Sequence, residues 1–404
     1  MSGRRVAVTG LGIVCALGEN LEACWSALSA GRPGIFRIES LDISQMRFEN
    51  GAEARGYDPA KHFEAGRIEQ LDRFTQFAIV AAREAVSSAH LDLTPDLRER
   101  SAVITASSMG GQSTQDVVFQ DLYKNGRGRA HPLSIPRTMA NAGASLISME
   151  FGLTGPAFTL STACASSNHA IGLAFRMVRS GEVELALAGG SEAPFSFGLL
   201  KAWESMRVIA PDTCRPFSKD RRGMILGEGG AMLVLEPMDA ARERGAKIYG
   251  EIVGFGMSSD AHHITQSSVE GPVKAMGAAL ADASLRPEKI AYINAHGTGT
   301  LGNDPTECRA IRQVFGAHAD RIAVSSTKSM HGHALGAAGA LEAVATILAL
   351  HHRILPPTAN FTAPDPECDL DVVPNSSRRA DVEFALSNSF AFGGLNAVLA
   401  FRSH

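Results

Sequence analysis

The sequence lacks several features that would assign it to a class at once. Its six cysteines, at positions 15, 24, 164, 214, 308 and 368, form no CxxC pair and no regular framework. This scatter argues against structural disulfides and zinc sites, and it favours a reducing compartment. Lys and Arg (38) nearly balance Asp and Glu (42), for a formal net charge of −4. Nothing in that balance indicates a nucleic-acid partner.

Long apolar runs are also missing. The most apolar stretch near the C-terminus, Gly339–Leu350, is interrupted by Glu342 and is too short to span a bilayer. The N-terminal Met1–Arg5 leads directly into a strand-like segment rather than into the apolar region of a signal peptide. We therefore expect a cytoplasmic globular protein without a membrane span.

What the sequence does contain is a large apolar fraction in alternating patterns. With 404 residues, 45% of them hydrophobic, the chain can bury a large core. Strand-like and helix-like segments alternate throughout, which predicts an α/β fold. At Ala246 the pattern begins again: Lys247–Met257 resembles Val6–Gly12, and both are predicted to be strands that enter a glycine-containing turn. We expect two similar halves, residues 1–245 and 246–404.

Cys164 has the most informative position in the chain. A β-branched, apolar run, Ala157–Thr162, precedes it, and helical periodicity begins at Ala165 and ends at Gly181. A cysteine at a helix start lies beside backbone N–H groups without helical partners, which favours the thiolate, the nucleophilic form. The alternative is that Cys164 is a small buried hydrophobe, as most cysteines in apolar runs are.

Three other segments place polar residues where predicted strands end, the usual position of chemistry in α/β folds. These segments are Ile293–Thr300, Ser325–His333 and Asn388–Asn396. The first two each contain a histidine followed or preceded by glycine, His296 and His333. A nucleophilic cysteine, hydrogen-bond donors and a charge stabiliser could meet in one pocket. The residues alone thus indicate a cysteine acyl-transfer enzyme of unspecified chemistry.

At these residues the chain resembles the β-ketoacyl-acyl-carrier-protein synthases, the elongating condensing enzymes of the thiolase-like superfamily. The resemblance covers essentially the whole chain. It includes Thr162–Ser166, Gly227–Gly230, Asn294–Thr300, Ser326–His333 and Asn388–Gly394, whose order and spacing are together highly specific. It implies a duplicated, five-layered αβαβα architecture. It also implies that a Cys-bound acyl chain condenses, with loss of CO₂, with malonyl-acyl-carrier protein.

The resemblance implies a role for each matching residue. Cys164 would carry the acyl chain as a thioester, while His296 and His333 would bind the malonyl thioester carbonyl. Lys328 would support the site electrostatically and pair with Glu307, with Phe390 as a further supporting residue. The backbone N–H groups of Cys164 and Phe392 would form the oxyanion hole. The Phe392 side chain would gate the pocket, and Ala391, where relatives have glycine, would restrict that gate.

The substrate-binding expectations also follow from the resemblance. Thr298 and Thr300 match positions that contact the phosphopantetheine arm, which arrives on the carrier protein, so neither a metal nor a cofactor of the enzyme's own is implied. The acyl pocket is expected to include Met109, Ser134 and Met224. Docking of the acidic carrier protein is expected at four basic residues: Lys124, Arg127, Arg129 and Arg207. A dimer that pairs near Ala157–Ser161 is implied, either a homodimer or a heterodimer.

Two alternatives remain open from the sequence. One is a specialised ketosynthase of a polyketide, polyene or lipid-signal pathway, paired with a cysteine-less chain-length-factor subunit. The other is an inactive scaffold or a decarboxylase-only subunit. Retention of Cys164, His296, Lys328 and His333 together argues against the second alternative.

Overall fold

The computed structural model describes residues 3–404. Its main sheet has ten strands: β1 Val6–Cys15, β2 Ser101–Ala106, β3 Ala157–Leu160, β4 Leu185–Glu192, β5 Gly229–Pro237, β6 Gly250–Ser259, β7 Ile290–Asn294, β8 Ala323–Ser325, β9 Phe384–Ala391 and β10 Leu395–Arg402. They lie in the order β8-β7-β9-β10-β6-β1-β5-β4-β2-β3. The short antiparallel pairing of β1 with β6, from Val6 to Val8, joins two five-stranded sheets.

The two five-stranded sheets repeat one topology. From the centre outwards, the first reads β1-β5-β4-β2-β3 and the second β6-β10-β9-β7-β8. In each, the last three strands run parallel, and the remaining pairings are antiparallel. The repeat begins again at β6, close to the sequence boundary at residue 245. Whether residues 1–245 and 246–404 are separate units stays a prediction.

Within residues 3–404, ten α-helices of six or more residues accompany the strands. They are α1 Leu21–Ser29, α2 Arg73–Ser88, α3 Gln112–Phe119, α4 Ala142–Phe151, α5 Ser166–Ser180, α6 Phe197–Ser205, α7 Met238–Glu243, α8 Glu270–Asp282, α9 Asn303–Phe315 and α10 Ala338–His352. Single turns occur at Ala65–Ile68, Pro95–Glu99, Ser134–Thr138 and Lys328–His331, and two-residue strand pairs at Phe36–Arg37 with Asn50–Gly51 and Ile354–Leu355 with Arg378–Arg379.

The helices form three layers around the two sheets. Helix α2 packs on β1, β4 and β5, with α4 beside it, and α8 packs on β6 and β10, with α9 beside it. Between the sheets lie α5 and α10, which contact strands of both halves. The protein is therefore five-layered, in the order α-β-α-β-α, as the family resemblance implies.

The central helix α10 explains the apolar stretch noticed in the sequence. Together with the preceding turn it forms an apolar helical segment, Leu335–His352, long enough to cross a membrane, but most of this segment is buried inside the protein. Its small residues allow close approach, because a Cβ at Gly339 would lie 2.6 Å from the Asn168 side-chain oxygen on α5. The segment is buried as the core helix of a globular protein is.

The predicted glycine turns in β1 and β6 are wrong. Both strands continue through these glycines, β1 to Cys15 with a register shift between Val8 and Gly10, and β6 to Ser259. A Cβ at Gly12 would lie 2.0 Å from the Ala81 carbonyl oxygen of α2, and one at Gly256 would lie 2.1 Å from the Ala275 carbonyl oxygen of α8. The glycines serve close helix–strand contact rather than a turn, and they do so in both halves.

Candidate active site

Cys164 lies in the turn between β3 and α5. The chain makes this turn with Ala163 in the left-handed region, at φ 49°, which a non-glycine residue occupies only under local strain. Helix α5 begins at Ser166, two residues after Cys164. Cys164 as a whole is 8% exposed, and it lines an enclosed cavity rather than the outer surface.

The protonation state of Cys164 differs from the sequence prediction. Burial raises the pKa of the Cys164 thiol to about 11, opposed by the Lys328 charge and by the backbone N–H of Phe392. The prediction that the helix start favours the thiolate is therefore wrong for this enclosed site, because removal of the thiolate from water outweighs the nearby positive charge. The resting residue is a thiol at neutral pH.

His296 follows β7 and lies against the other histidine. The ring centroids of His296 and His333 are 5.4 Å apart in an edge-on arrangement, and the Phe390 ring lies 6.1 Å from His296. Glu307 on α9 anchors the backbone: its carboxylate accepts the N–H of His296 at 2.9 Å and that of Gly297 at 2.8 Å. A buried carboxylate thus fixes the loop that carries His296.

The tautomer of His333 follows from one hydrogen bond. Its Nδ1 accepts the backbone N–H of Leu335 at 3.1 Å, so the ring proton is on Nε2. Burial, followed by the Lys328 charge, lowers the pKa of both His296 and His333 well below the ordinary value. Both rings are neutral at physiological pH, and His333 Nε2–H is a hydrogen-bond donor.

Cys164, His296 and His333 converge on one point, with their candidate ligand atoms within 4.8 Å of one another. This spacing could suit a metal ion in principle. However, metal ligation needs the lone pair of His333 Nε2, and the Leu335 N–H bond leaves the proton on that atom. The arrangement suits hydrogen-bond donation to a substrate oxygen.

The predicted partner of Lys328 is wrong. Its ammonium group donates to Glu342 on α10, not to Glu307, and both side chains are fully buried. Glu307 is occupied by the backbone of His296 and Gly297 and by the Asn388 amide, 3.1 Å away. The sequence does not reveal this pairing, because it depends on how α10 packs between the two sheets.

A cavity of about 550 Å³ opens onto Cys164 and the two histidines. Among the predicted residues it is lined by Thr298, Thr300, Met224, Arg207, Phe390, Ala391 and Phe392. The Thr298 and Thr300 hydroxyls are hydrogen-bonded to each other, 2.9 Å apart. This cavity is therefore the space that joins the nucleophile to the surface.

Two predicted pocket residues lie outside this lining. Met109 follows β2 with 36% of its surface exposed, and its backbone N–H donates to Glu192 at 3.2 Å. Ser134 is on the turn Ser134–Thr138, where its hydroxyl donates to the His131 carbonyl at 2.7 Å. In one chain, Met224 alone of the three predicted acyl-pocket residues faces the cavity.

Phe392 lies in the turn between β9 and β10. The next two residues, Gly393 and Gly394, take the left-handed φ values of 82° and 69°. Ala391, by contrast, ends the β9 ladder opposite Leu395 and does not need that region. This conformation therefore places no strain on Ala391, and restriction of the gate by Ala391 stays a prediction.

The basic residues divide into two groups. Arg207 lies at the cavity mouth together with Arg222 and Arg309, two exposed residues that sequence reasoning missed because neither belongs to a motif. Lys124, Arg127 and Arg129 lie on the exposed segment after α3, outside the cavity lining, where Arg127 pairs with Asp121 at 2.8 Å. Positive charge at the mouth thus comes from three separate parts of the chain.

Family comparison settles what this site belongs to. Residues 3–241 match the model of the β-ketoacyl synthase N-terminal domain, and residues 249–362 match that of the C-terminal domain. The chain belongs to the β-ketoacyl synthase family. It is therefore a condensing enzyme of the acyltransferase class, with the thiolase-like fold that this family shares.

Individual relatives extend over the full length. The chain is 47% identical to a protein named Nodulation protein E from Rhizobium sp. (strain N33), across 99% of both chains. It is 42% identical to 3-oxoacyl-[acyl-carrier-protein] synthase 2 from Synechocystis sp., across 99% of this chain and 98% of the relative.

Solved structures give the same picture. The ishigamide ketosynthase/chain length factor superposes with a TM-score of 0.95 at 38% identity, covering both chains completely. A β-ketoacyl synthase from Burkholderia phymatum superposes with a TM-score of 0.91 at 35% identity, covering 99% of this chain and 100% of the other. A type II polyketide ketosynthase solved with its acyl-carrier protein superposes with a TM-score of 0.90 at 29% identity, over the full length of both chains.

Proposed function

We propose that this β-ketoacyl synthase carries an acyl chain on Cys164 and condenses it with malonyl-acyl-carrier protein. The products are a β-ketoacyl-carrier protein, CO₂ and free carrier protein. The observation that carries the proposal is the convergence of one buried thiol and two neutral histidines, within 4.8 Å, at the end of a single cavity.

The first half-reaction transfers the acyl chain to Cys164. The sulfur attacks the carbonyl of the incoming thioester, the carrier's thiol leaves, and the proton of Cys164 passes to that leaving group. The Phe392 backbone N–H, which lowers the pKa of Cys164, together with that of Cys164, supports the tetrahedral oxyanion. Because the thiol has a raised pKa, attack depends on these donors and on Lys328 rather than on a preformed thiolate.

The second half-reaction uses the histidines. When malonyl thioester loses CO₂, negative charge develops on the thioester oxygen, and donors aimed at that oxygen lower the barrier. His333 Nε2–H and His296 serve as these donors, with His333 fixed by Leu335 and the His296 loop held by Glu307. The carbanion then attacks the carbonyl carbon of the Cys164 thioester, the carbon–sulfur bond breaks, and Cys164 leaves as a thiolate that takes up a proton from water. Because both rings are neutral, they donate hydrogen bonds to the enolate oxygen and do not transfer a proton to it.

Lys328 acts on the site through its charge. It lowers the pKa of Cys164, His296 and His333 together. Glu342 holds the ammonium in place and compensates it within the core. The pair therefore keeps both histidines neutral without leaving an isolated charge in the core.

The cavity accepts the substrate as a carrier-borne arm. Thr298 and Thr300 line its wall, which supports a role for them in contacting the phosphopantetheine amides. Arg207, Arg222 and Arg309, which also line the cavity, suit the phosphate and an acidic carrier surface. The reactive thiol of phosphopantetheine arrives with the carrier, so the enzyme supplies no cofactor of its own. Lys124, Arg127 and Arg129 extend this docking surface in the proposal.

A second copy of the chain is the proposed structural partner. Strand β3 forms one edge of the ten-stranded sheet, and Ala157 and Phe158 on it are exposed. An open edge of this kind needs a cover, and exposed apolar side chains such as Ile135 and Met149 come from the same part of the chain. A cysteine-less partner subunit is the alternative cover. We place the dimer in the cytoplasm, where its six free, buried cysteines stay reduced.

A specialised pathway is the second candidate function. Four relatives named Nodulation protein E are 43–47% identical, whereas those named 3-oxoacyl-[acyl-carrier-protein] synthase 2 are 38–42% identical. Met224 lines the cavity, and a methionine side chain is flexible enough to adapt to acyl chains of unusual shape. The identities to relatives and the presence of Met224 together favour an acyl donor other than an ordinary saturated chain.

A donor screen separates the two candidates. Acyl-carrier proteins with chains of different length and unsaturation are offered with malonyl-carrier protein, and products are identified by mass spectrometry. Preference for ordinary saturated donors supports fatty-acid elongation, whereas selective use of unsaturated or otherwise modified donors supports the specialised pathway. A Met257→Ala variant, exposed on β6, is the control for Met224→Ala, which we expect to shift the preferred chain.

A further inference from the structure

The proposed gate residue Phe392 rests on a second aromatic ring. The Phe392 and Trp203 rings are stacked, with centroids 6.2 Å apart and an interplanar angle of 25°. Both residues line the cavity that leads to Cys164. The stack therefore forms part of the wall of the cavity through which a substrate reaches the thiol.

The two rings differ in how firmly they are held. Trp203 is on helix α6 and packs against the buried cluster that contains Met224 and Leu335. The end of α6 is tied to residues 45–47, because Glu204 accepts the backbone N–H of Arg47 and the Lys201 ammonium group donates to the Gln45 carbonyl. Phe392 precedes two glycines in the left-handed region. Movement of the pair is thus expected at Phe392, with Trp203 stationary.

The indole nitrogen adds a second observation. Trp203 Nε1 is shielded from solvent and has no hydrogen-bond partner among residues 3–404. A buried donor without an acceptor destabilises the conformation that leaves it so. The stacking contact favours the closed position of Phe392, and the unpaired N–H opposes it.

We propose that Trp203 is the stationary half of the gate: Phe392 closes against its indole face, and the unpaired Nε1–H keeps that closure weak. This proposal rests on the proposed function, in which Cys164 takes the acyl chain, and on the gate role that the family resemblance implies for Phe392. When Phe392 swings away, the N–H gains access to water or to a carbonyl of the arriving arm. Trp203 is thus a positioning residue that sets how often Cys164 becomes accessible.

Two substitutions have opposite expected effects. Trp203→Phe keeps a stacking ring and removes the unpaired donor, so the gate closes more firmly. Trp203→Leu removes the stack, so the gate opens more readily. The probe is iodoacetamide, and the rate of alkylation is read on the Cys164 peptide by mass spectrometry. We expect slower alkylation in the first variant and faster alkylation in the second, each by about threefold or more, the equivalent of one aromatic contact.

A fluorescence measurement tests the stack without activity. The chain contains two tryptophans, and Trp25 stacks on His352 elsewhere. In a Trp25→Phe background, Phe392→Ala should increase quenching of Trp203 by acrylamide. In a Trp203→Phe background, the same change should leave Trp25 quenching unaltered. Thermal unfolding of each variant checks that the fold is intact.

Failure of the gate proposal and failure of the proposed function would give different results. Opposite changes in alkylation rate, with Trp203 unshielded by Phe392→Ala, support the gate. Any other pattern, such as rates that change in the same direction or stay within about twofold, overturns it. An acyl adduct on Cys164 from a carrier-borne donor is scored separately, and its absence under all donors would overturn the proposed function instead.

Discussion

Lys328 and Glu342 form a fully buried ion pair that joins the catalytic loop to the central helix α10. Glu342 is the residue that interrupts the most apolar stretch of the sequence. Its burial is explained by the fold, which brings it against the Lys328 ammonium group. Through this pair a single positive charge is held near Cys164, His296 and His333, whose pKa values it lowers.

Replacement of the lysine tests that electrostatic role. In Lys328→Met, the pKa of Cys164 should rise further, and that of both histidines should move up towards the ordinary value. We expect alkylation of Cys164 by iodoacetamide at pH 8 to slow by about tenfold, the equivalent of one pKa unit. Malonyl decarboxylation should also lose activity at acidic pH as the histidines become protonated. Unchanged alkylation and an unchanged pH profile would show that Lys328 has only a structural role.

The partner glutamate has its own pH signature. Burial raises the pKa of Glu342 to about 7, from an ordinary value of 4.5, although the charge of Lys328 and its hydrogen bond oppose the rise. The folded state therefore binds this proton more tightly than the unfolded chain. The resulting stability is present below about pH 4.5 and is lost as pH rises through about 7.

The measurement is the melting temperature of wild-type and Glu342→Gln protein from pH 5 to pH 8. We expect the variant to lose less stability than the wild type over this rise, because its amide does not titrate. Glu288→Gln, at an exposed position before β7, is the control and should follow the wild type. Parallel curves for wild type and Glu342→Gln would contradict the raised pKa.

Glu307 should matter for one half-reaction more than for the other. It holds the backbone at His296 and Gly297 through two N–H bonds, and Glu307→Gln replaces one acceptor oxygen with a competing donor. Displacement of His296 should slow malonyl decarboxylation roughly tenfold to a hundredfold. Acylation of Cys164 should change far less, since His296 acts on the other substrate. Equal losses in both half-reactions would argue for general disruption of the site.

The arginines at the cavity mouth should control carrier affinity. Charge reversal at Arg207, Arg222 or Arg309 should raise KM for carrier-borne donors by about three- to tenfold, with a weaker effect at high salt. Alkylation by uncharged iodoacetamide should be unaffected. Arg286→Glu, at the opposite end of β7 from His296, is the control. An equal KM rise in the control would show an effect of net charge rather than of docking.

Much of the fold could be predicted from the sequence because the hydrophobic periodicity and the glycines that end helices and form turns were clear. Helix α5 with its Gly181 end and the final hairpin of β9 and β10 both appear as expected. The glycines of β1 and β6 could not be interpreted locally. Their role depends on Ala81 and Ala275, residues of helices about 70 and 20 positions away, and no local pattern shows such a contact.

The sequence predicted which residues form the site, but not all of the contacts between them. Motifs placed Cys164, His296 and His333 near one another, as the structure has them. The raised pKa of Cys164 and the pairing of Lys328 depend on burial and on distances between elements. Both quantities are fixed by packing of α10 between the two sheets, which a linear pattern does not contain.

The most direct test of the account is mass spectrometry of a reaction with an acyl-carrier donor and malonyl-carrier protein, comparing wild type with Cys164→Ala and His333→Ala. We expect the wild-type enzyme to form an acyl adduct on Cys164 and a β-ketoacyl product two carbons longer than the donor. Cys164→Ala should lose the adduct but still decarboxylate malonyl-carrier protein, and His333→Ala should still form the adduct but lose decarboxylation. Extension that persists without Cys164, or wild-type enzyme that forms neither adduct nor extended product with any donor, would contradict it.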